Sequence, residues 1–212
     1  MLRIVFVVLY TALMPGANGA RADQAAAEAV LSGDMRKLTF HASAKTVPAI
    51  ALVDMAGAPR SLDEWKGRWV VLNFWATWCA PCRKEMPQIA ELQQEFGGEL
   101  NFWATWCAPC RKEMPGLARL AVTPEGKNMA VVTVATGRNP VPSMKRFLRE
   151  MDAQNLPVLR DPKSQLASAI GVLGLPVTVL LDPEGKEVAR LIGDADWDGK
   201  DARAMLAALT AD

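Results

Sequence analysis

The sequence predicts an α/β fold, in which a mixed central β-sheet is flanked by helices. Continuous apolar runs at residues 69–77, 128–135 and 176–182 have the length and β-branched content of strands that are buried on both faces. Helical patterns separate these runs. Residues 183–186 form a turn into a last strand at 187–192, so the final two strands make a hairpin. Alternating strands and helices that end in a hairpin are typical of a sheet with both parallel and antiparallel neighbours.

The remaining elements follow from local signals along the chain. Residues 47–54, VPAIALVD, form an apolar run of strand length. Ser61 precedes Glu64 by three residues, which is the capping-box pattern of a helical turn, and Gly67 is placed to end that turn. Each CAPC sequence is expected to open a helix. Further helices are predicted at residues 142–151, 164–170 and 201–209.

The composition is that of a compact globular protein. Of the 212 residues, 50% are hydrophobic and 22% are charged, which is enough apolar material for a core. The 24 basic and 23 acidic residues give a formal net charge of +1, and they are interspersed. Nucleic-acid binding, which needs clustered positive charge, is therefore not expected.

The N-terminus has the pattern of an export signal. Arg3 precedes an apolar run at residues 4–14, which is too short to span a bilayer. Ala20-Arg21-Ala22 offers a cleavage site, so residues 1–22 are predicted to be a cleavable signal peptide. The alternatives are an uncleaved anchor in the inner membrane, facing the periplasm, and a buried helix. Residues 23–40 are predicted to be a linker or short helix, and residues 41–212 the folded domain.

Sixteen residues, LNFWATWCAPCRKEMP, occur twice without a change, at 72–87 and again at 100–115. Solenoid proteins have repeats of similar period, but they need at least three copies to bury a shared core. The similarity ends after the sixteenth residue, and removing 28 residues in register would leave one uninterrupted domain. We therefore interpret the repeat as an extra strand and helix inserted within residues 72–115.

Each copy carries a Cys-x-x-Cys pair at the predicted start of a helix. A cysteine attacks a disulfide only as a thiolate, and the backbone N–H groups at a helix N-terminus stabilise that negative charge. The first cysteine, Cys79 or Cys107, is therefore the candidate nucleophile. The second, Cys82 or Cys110, returns beneath it within one turn and can resolve a mixed disulfide. Such chemistry needs a redox-active disulfide and no other cofactor.

Zinc or copper binding by all four sulfurs is the alternative function for these cysteines. The 24 residues between Cys82 and Cys107 exceed the usual spacing of zinc ligands. Each pair also follows a strand that is predicted to be buried, where zinc sites seldom lie. The pattern therefore favours redox chemistry over metal binding.

WCAPCRKEMP, the preceding VVLNFWAT and the later GLPVTVLLD resemble the periplasmic thioredoxin-like proteins of the TlpA/ResA/CcmG group. The later segments VTVATGRNPVP, NLPVLRDP and GDADW also resemble that group, and they are most similar to its TlpA branch. The resemblance implies a thioredoxin fold, with Pro176 as a cis-proline that faces the cysteines. The backbone of Leu175 would then be free to pair with an extended substrate, and Trp78 would lie at the substrate-binding surface.

The resemblance also implies an acid near the cysteines. Thioredoxins proper place a buried aspartate in the strand beneath the pair, whereas this sequence has Asn73 or Asn101 at that position. The family instead indicates Glu85 or Glu113, three residues after the second cysteine of each copy.

Only one copy can occupy the strand position beside Pro176. The first copy follows the apolar residues Trp69-Val70-Val71 and precedes the stronger helix pattern. The second copy follows Gly98-Glu99 but leads directly into the next strand. We expect Cys79 and Cys82 to form the catalytic pair.

By resemblance, the expected function is that of an exported, monomeric thiol–disulfide oxidoreductase that reduces partner proteins. Its expected substrates are apocytochrome c or copper-centre assembly proteins, and its expected electron donor is a membrane protein of the DsbD/CcdA type. The alternative is a non-catalytic module that binds zinc or copper through four thiolates.

Overall fold

The computed structural model of the protein describes residues 16–77, 107–123 and 129–211. The helices are α1 (Gly16–Ala29), α2 (Ala108–Leu120), α3 (Val141–Glu150), α4 (Gln165–Ala169) and α5 (Lys200–Leu209), with 3-10 turns at Gly33–Lys37 and Leu62–Trp65. The strands are β1 (Leu38–Thr46), β2 (Leu52–Val53), β3 (Pro59–Arg60), β4 (Trp69–Trp75), β5 (Met129–Thr136), β6 (Val158–Asp161), β7 (Val177–Leu181) and β8 (Lys186–Ile192).

Within the described residues, the strands form one sheet in the order β1-β8-β7-β4-β5-β6-β2-β3. Strand β4 pairs in parallel with β5, and β5 pairs in parallel with β6. Strand β7 is antiparallel to both β4 and β8. The predicted α/β fold with a mixed sheet is therefore confirmed, and β4 lies near its centre.

Strand β4 is buried on both faces, as its continuous apolar sequence predicts. Val71 and Trp75 face a core that contains the buried sides of α2, α3 and α5. Leu72 and Phe74 face the opposite core, which α4 covers. Trp75 stacks on Phe147 of α3 with ring centroids 4.7 Å apart, so the strand end nearest the cysteines packs against that helix.

Three strands were not predicted from the sequence. Strand β1 begins at Leu38, before the predicted start of the domain at residue 41, and most of its residues are exposed or only partly buried. An exposed edge strand lacks the apolar alternation that identifies a half-buried strand. Strand β3 has two residues and β6 has four, which is too short for a periodic pattern. The apolar run at 47–54 contributes only the short strand β2.

The N-terminal and inserted segments are described only in part. The predicted cleavage site at residues 20–22 falls inside helix α1. Residues 1–15 lie outside the described part of the chain. The signal peptide therefore stays a prediction. The inserted strand and helix would fall in residues 78–106, also outside the described residues. Among the helices that the structure describes, none is long and apolar enough to cross a membrane.

Candidate active site

The candidate site is assembled from one half of each repeat copy. Strand β4 and the residues up to Thr77 come from the first copy. The described chain resumes at Cys107 of the second copy, which is the N-cap of α2. Cys107 and Cys110 form a disulfide with an S–S length of 2.03 Å and Cα atoms 5.2 Å apart.

The environment of Cys107 favours a negatively charged sulfur. Its Sγ accepts a hydrogen bond from the backbone N–H of Cys110 at 3.4 Å, and it lies at the positive end of α2. Pro109, which lacks an N–H, occupies the first turn of this helix. Cys110 is completely buried, whereas Cys107 keeps 5% exposure. Cys107 therefore has the geometry of an attacking cysteine and Cys110 that of a resolving one.

This arrangement differs from our expectation that Cys79 and Cys82 form the catalytic pair. The helix position after β4 is held by the second pair. Cys79 and Cys82 lie outside the described residues, as do Trp78 and Glu85. The site takes its strand from the first copy and its helix from the second, and each of these halves is the one better connected to the rest of the fold. Strand β4 keeps its apolar start, which pairs with Met129–Val131, and α2 keeps the short connection to β5.

A close contact at Gly116 explains why the second copy supplies α2. A Cβ atom added to Gly116 would lie 2.9 Å from Asp198 Oδ1 and 3.6 Å from the backbone nitrogen of Trp197. In the first copy the equivalent residue, 28 positions earlier, is Gln88. A helix built from that copy would place a glutamine side chain against the Asp198 carboxylate, which would have to shift.

An ion pair three residues later favours the same copy. Arg119 donates a hydrogen bond from Nη2 to Asp198 Oδ1 at 3.1 Å and a second, through Nε, to the same carboxylate. The equivalent residue of the first copy is Glu91. A glutamate there would set two carboxylates against each other instead of pairing opposite charges.

Glu113 is a buried acid next to the cysteines and lies one helical turn after Cys110. Its Oε1 accepts a hydrogen bond from Asn73 Nδ2 at 2.8 Å, and its Oε2 accepts one from Trp197 Nε1 at 3.2 Å. Burial raises the pKa of Glu113 to about 8, although these hydrogen bonds and one from the backbone of Ala195 act to lower it. The side chain can therefore hold or release a proton near neutral pH.

Trp197 is a site residue that sequence reasoning missed. It is fully buried, and its indole N–H binds the acid. The GDADW segment, which the family resemblance included, was the available signal. The contact between Trp197 and Glu113 spans 84 residues of sequence, and no local pattern predicts a contact of that range.

Leu175 and Pro176 directly precede β7, and they lie beside the end of β4 from which the chain leads to the cysteines. The Leu175–Pro176 peptide bond is cis, which confirms the prediction from the resemblance. Val177, the next residue, pairs with Phe74 near the end of β4. Leu175 packs against both hydrophobic cores. The part that these two residues play in binding substrate stays a proposal.

Comparisons with known proteins agree with this geometry. The sequence model described as "AhpC/TSA family" matches residues 44–99 and 98–189, and each match contains one cysteine pair. The chain belongs to the AhpC/TSA family. Its Cys107–Cys110 disulfide and the activity named in its curated relatives show that the protein is a thiol–disulfide oxidoreductase.

Individual relatives of this AhpC/TSA-family chain carry the same activity in their names. The thiol-disulfide oxidoreductase ResA of Bacillus anthracis is 28% identical over 192 residues, which are 91% of this chain and 89% of that protein. ResA of Bacillus subtilis (strain 168) is 30% identical over 146 residues, which are 69% of this chain and 65% of that protein.

A solved structure supports the fold. The thiol:disulfide interchange protein of Chlorobium tepidum TLS, a thioredoxin family protein, superposes with a TM-score of 0.53. It is 21% identical, and the match covers 78% of this chain and 99% of that one. The predicted thioredoxin fold is therefore confirmed.

In this AhpC/TSA-family chain, the buried Asn139 holds the end of β4. Asn139 Oδ1 accepts hydrogen bonds from the backbone N–H of Thr77 at 2.7 Å and from its hydroxyl at 2.9 Å. Asn139 Nδ2 donates to the carbonyl oxygens of Thr136 at 2.8 Å and Gly137 at 3.3 Å. These four bonds fix the point at which the chain leaves the sheet towards the site.

Proposed function

We propose that this protein reduces disulfides in partner proteins, with Cys107 as the nucleophile and Cys110 as the resolving cysteine. The observation that carries the proposal is the Cys107–Cys110 disulfide at the N-terminus of α2, one helical turn from the buried acid Glu113. This disulfide is the oxidised product of one turnover.

The reaction begins from the reduced enzyme. The Cys107 thiolate attacks one sulfur of the partner disulfide, forms a mixed disulfide and releases the other partner sulfur as a thiolate. The Cys110 thiol transfers its proton to the Glu113 carboxylate and attacks Cys107 Sγ. The Cys107–Cys110 disulfide forms, and the second partner sulfur leaves as a thiolate. Two electrons have moved from the enzyme to the partner.

The proton transfer depends on the buried position of Glu113. Water cannot reach Cys110, which is completely buried, so its proton needs an acceptor inside the protein. Burial raises the pKa of the Glu113 carboxyl to about 8, so its carboxylate is a stronger base than an exposed one and can accept the Cys110 proton.

The physiological role follows from the family resemblance. We propose a periplasmic enzyme, exported by the segment at residues 1–22, that acts as a monomer on apocytochrome c or copper-centre assembly proteins. A membrane reductant of the DsbD/CcdA type would restore the dithiol. Leu175 and Pro176 would bind the extended substrate segment. Trp78 and Glu85, with the pair Cys79 and Cys82, belong to the inserted copy, and their roles stay proposals.

Serine replacements test the assignment of the cysteines. We expect Cys107→Ser to abolish insulin reduction with dithiothreitol and Cys79→Ser to keep the parent rate. In the reduced protein, iodoacetamide at mildly acidic pH should modify Cys107 faster than a cysteine in an unfolded peptide, because the helix N-terminus favours its thiolate.

Other outcomes would contradict the proposal. Equal loss of activity in both serine variants would show that the two pairs act together. Stoichiometric zinc or copper in the purified protein, with no insulin reduction, would support the four-thiolate binding module instead. Mass-spectrometric mapping of the cysteine pairs should identify Cys107–Cys110 as the disulfide of the oxidised protein.

A further inference from the structure

Asn73 lies in the centre of the sheet, and the carbonyl oxygen of its side-chain amide is unpaired among the described residues. The residue is completely buried on β4. Its Nδ2 donates two hydrogen bonds, to Glu113 Oε1 at 2.8 Å and to Thr178 Oγ1 at 2.9 Å. Its Oδ1 has no hydrogen-bond partner among the described residues. An unpaired buried carbonyl oxygen is costly, so its position needs a reason.

The hydrogen-bonding groups around Glu113, unlike its burial, favour the ionised form. Asn73 Nδ2, Trp197 Nε1 and the backbone N–H of Ala195 all donate hydrogen bonds to the carboxyl group. A neutral Glu113 carries a proton of its own, and that proton needs an acceptor. The unpaired Oδ1 belongs to the same amide that contacts Glu113. Rotation by half a turn about the Cβ–Cγ bond of Asn73 would bring Oδ1 to the carboxyl group.

We propose that the side-chain amide of Asn73 reverses with the protonation state of Glu113, presenting Nδ2 to the carboxylate and Oδ1 to the carboxylic acid. This inference rests on the proposed function and deepens it, because Glu113 exchanges a proton with Cys110 in each turnover. Asn73 acts as a positioning residue, since it touches the acid and not the reacting sulfurs.

Thr178 can follow the reversal without moving. A hydroxyl group both donates and accepts. Thr178 Oγ1 accepts from Nδ2 in the observed orientation and can donate to Oδ1 in the reversed one. Asn73 and Thr178 are register partners on β4 and β7, so the backbone holds the two side chains together in both states.

Among the described residues, Asp194 is the charged group that acts on Glu113. On its own helix, Cys110 precedes it by one turn, and Lys112 pairs with Asp194 at the surface, with Nζ 2.6 Å from Oδ2. From the loop after β8, Asp194 acts weakly to raise the pKa of Glu113, whereas Trp197 contributes a neutral donor. From β4 and β7 come the neutral side chains of Asn73 and Thr178. The asparagine is therefore the group that can adapt when the acid changes charge.

The reversal predicts a specific effect of Asn73→Leu. A fixed donor would stabilise only the carboxylate, and its loss would raise the pKa of Glu113 by about 1–2 pH units. A reversing amide stabilises both forms, so its loss would shift the midpoint by less than about 0.5 unit. The midpoint is read from the ¹³Cδ resonance of Glu113 in the oxidised full-length protein, where Cys107 and Cys110 do not titrate. Glu113→Gln assigns the resonance.

A second measurement needs no variant. Contacts between the Asn73 amide protons and Thr178 are recorded by NMR at about pH 6 and about pH 10, on either side of the Glu113 pKa of about 8. These contacts should be present at high pH and lost at low pH, with the same midpoint as the Glu113 resonance. Contacts that persist at both pH values, or a rise of more than about 0.5 unit in Asn73→Leu, would overturn the inference. Both measurements use the oxidised protein without substrate, so they are independent of the reductase assay.

Discussion

Arg119 of α2 forms an ion pair with Asp198 in the loop before α5. One helical turn earlier lies Gly116, where an added Cβ atom would come within 2.9 Å of Oδ1 of the same aspartate. Both contacts exist only because the second repeat copy supplies α2. The first copy has Gln88 and Glu91 at the equivalent positions. The choice between two identical sixteen-residue segments is therefore made by residues that lie just after them.

Reversing the charge of Arg119 should weaken the docking of α2. Arg119→Glu places a carboxylate against Asp198, and we expect a loss of about 1 kcal/mol in the free energy of unfolding, since the arginine is largely exposed. The double variant Arg119→Glu/Asp198→Arg should recover most of this loss. Urea unfolding measures both. Lys145→Glu, a charge reversal on an exposed position of α3, is the matched control, and an equal loss there would contradict the specific role of the ion pair.

Filling the space at Gly116 should have a larger effect. We expect Gly116→Gln to cost about 1–3 kcal/mol, because the new side chain must displace the Asp198 carboxylate that pairs with Arg119. Gly174→Gln is the control, because an added Cβ there would meet nothing within 4 Å, and it should cost less. Similar losses in the two variants, measured by urea unfolding, would show that Gly116 does not select the copy.

Glu113 should make the stability of the oxidised protein fall as the pH rises. Burial raises its pKa from 4.5 to about 8 in the folded protein, so the folded state binds more protons than the unfolded state between these values. Stability from this group is complete below about pH 4.5 and is lost progressively up to about pH 8, by a few kcal/mol.

Glu113→Gln should remove this part of the pH dependence. Urea unfolding at about pH 5 and about pH 9 should show the variant gaining relative to the parent protein at the higher pH. Glu184→Gln, at an exposed position in the β7–β8 turn, should keep the parental pH dependence. An unchanged slope in Glu113→Gln would mean that the acid is ionised throughout this range.

Asn139 should contribute strongly to stability because it fixes the end of β4. Asn139→Ala removes four hydrogen bonds and leaves buried groups of Thr77 and Thr136 unpaired, so we expect a loss of about 2–3 kcal/mol. Thr77→Val removes only the hydroxyl and should cost less. Asn155→Ala, which removes one hydrogen bond to Ala118, is the control. Equal losses in Asn139→Ala and Asn155→Ala upon urea unfolding would contradict this role.

Local patterns in the sequence determined most of the fold and the chemistry of the site. The apolar runs of β4, β5 and β7 predicted the buried strands, because a strand covered on both faces is continuously apolar. The Cys-x-x-Cys at a helix start predicted the redox pair, since the spacing and the helix end act over a few residues. The family resemblance predicted the cis bond before Pro176 and an acid three residues after the second cysteine.

Only the tertiary structure decided which copy of the repeat forms α2. Identical sequences have identical local preferences, so the choice depends on what the next turn of the helix meets in the folded chain. Arg119 meets Asp198, which lies 79 residues later in the sequence, and Gly116 approaches the same aspartate. Trp197 and Asn73 likewise reach Glu113 from distant elements. Contacts between residues distant in sequence therefore determine which copy supplies α2, and no local sequence pattern contains them.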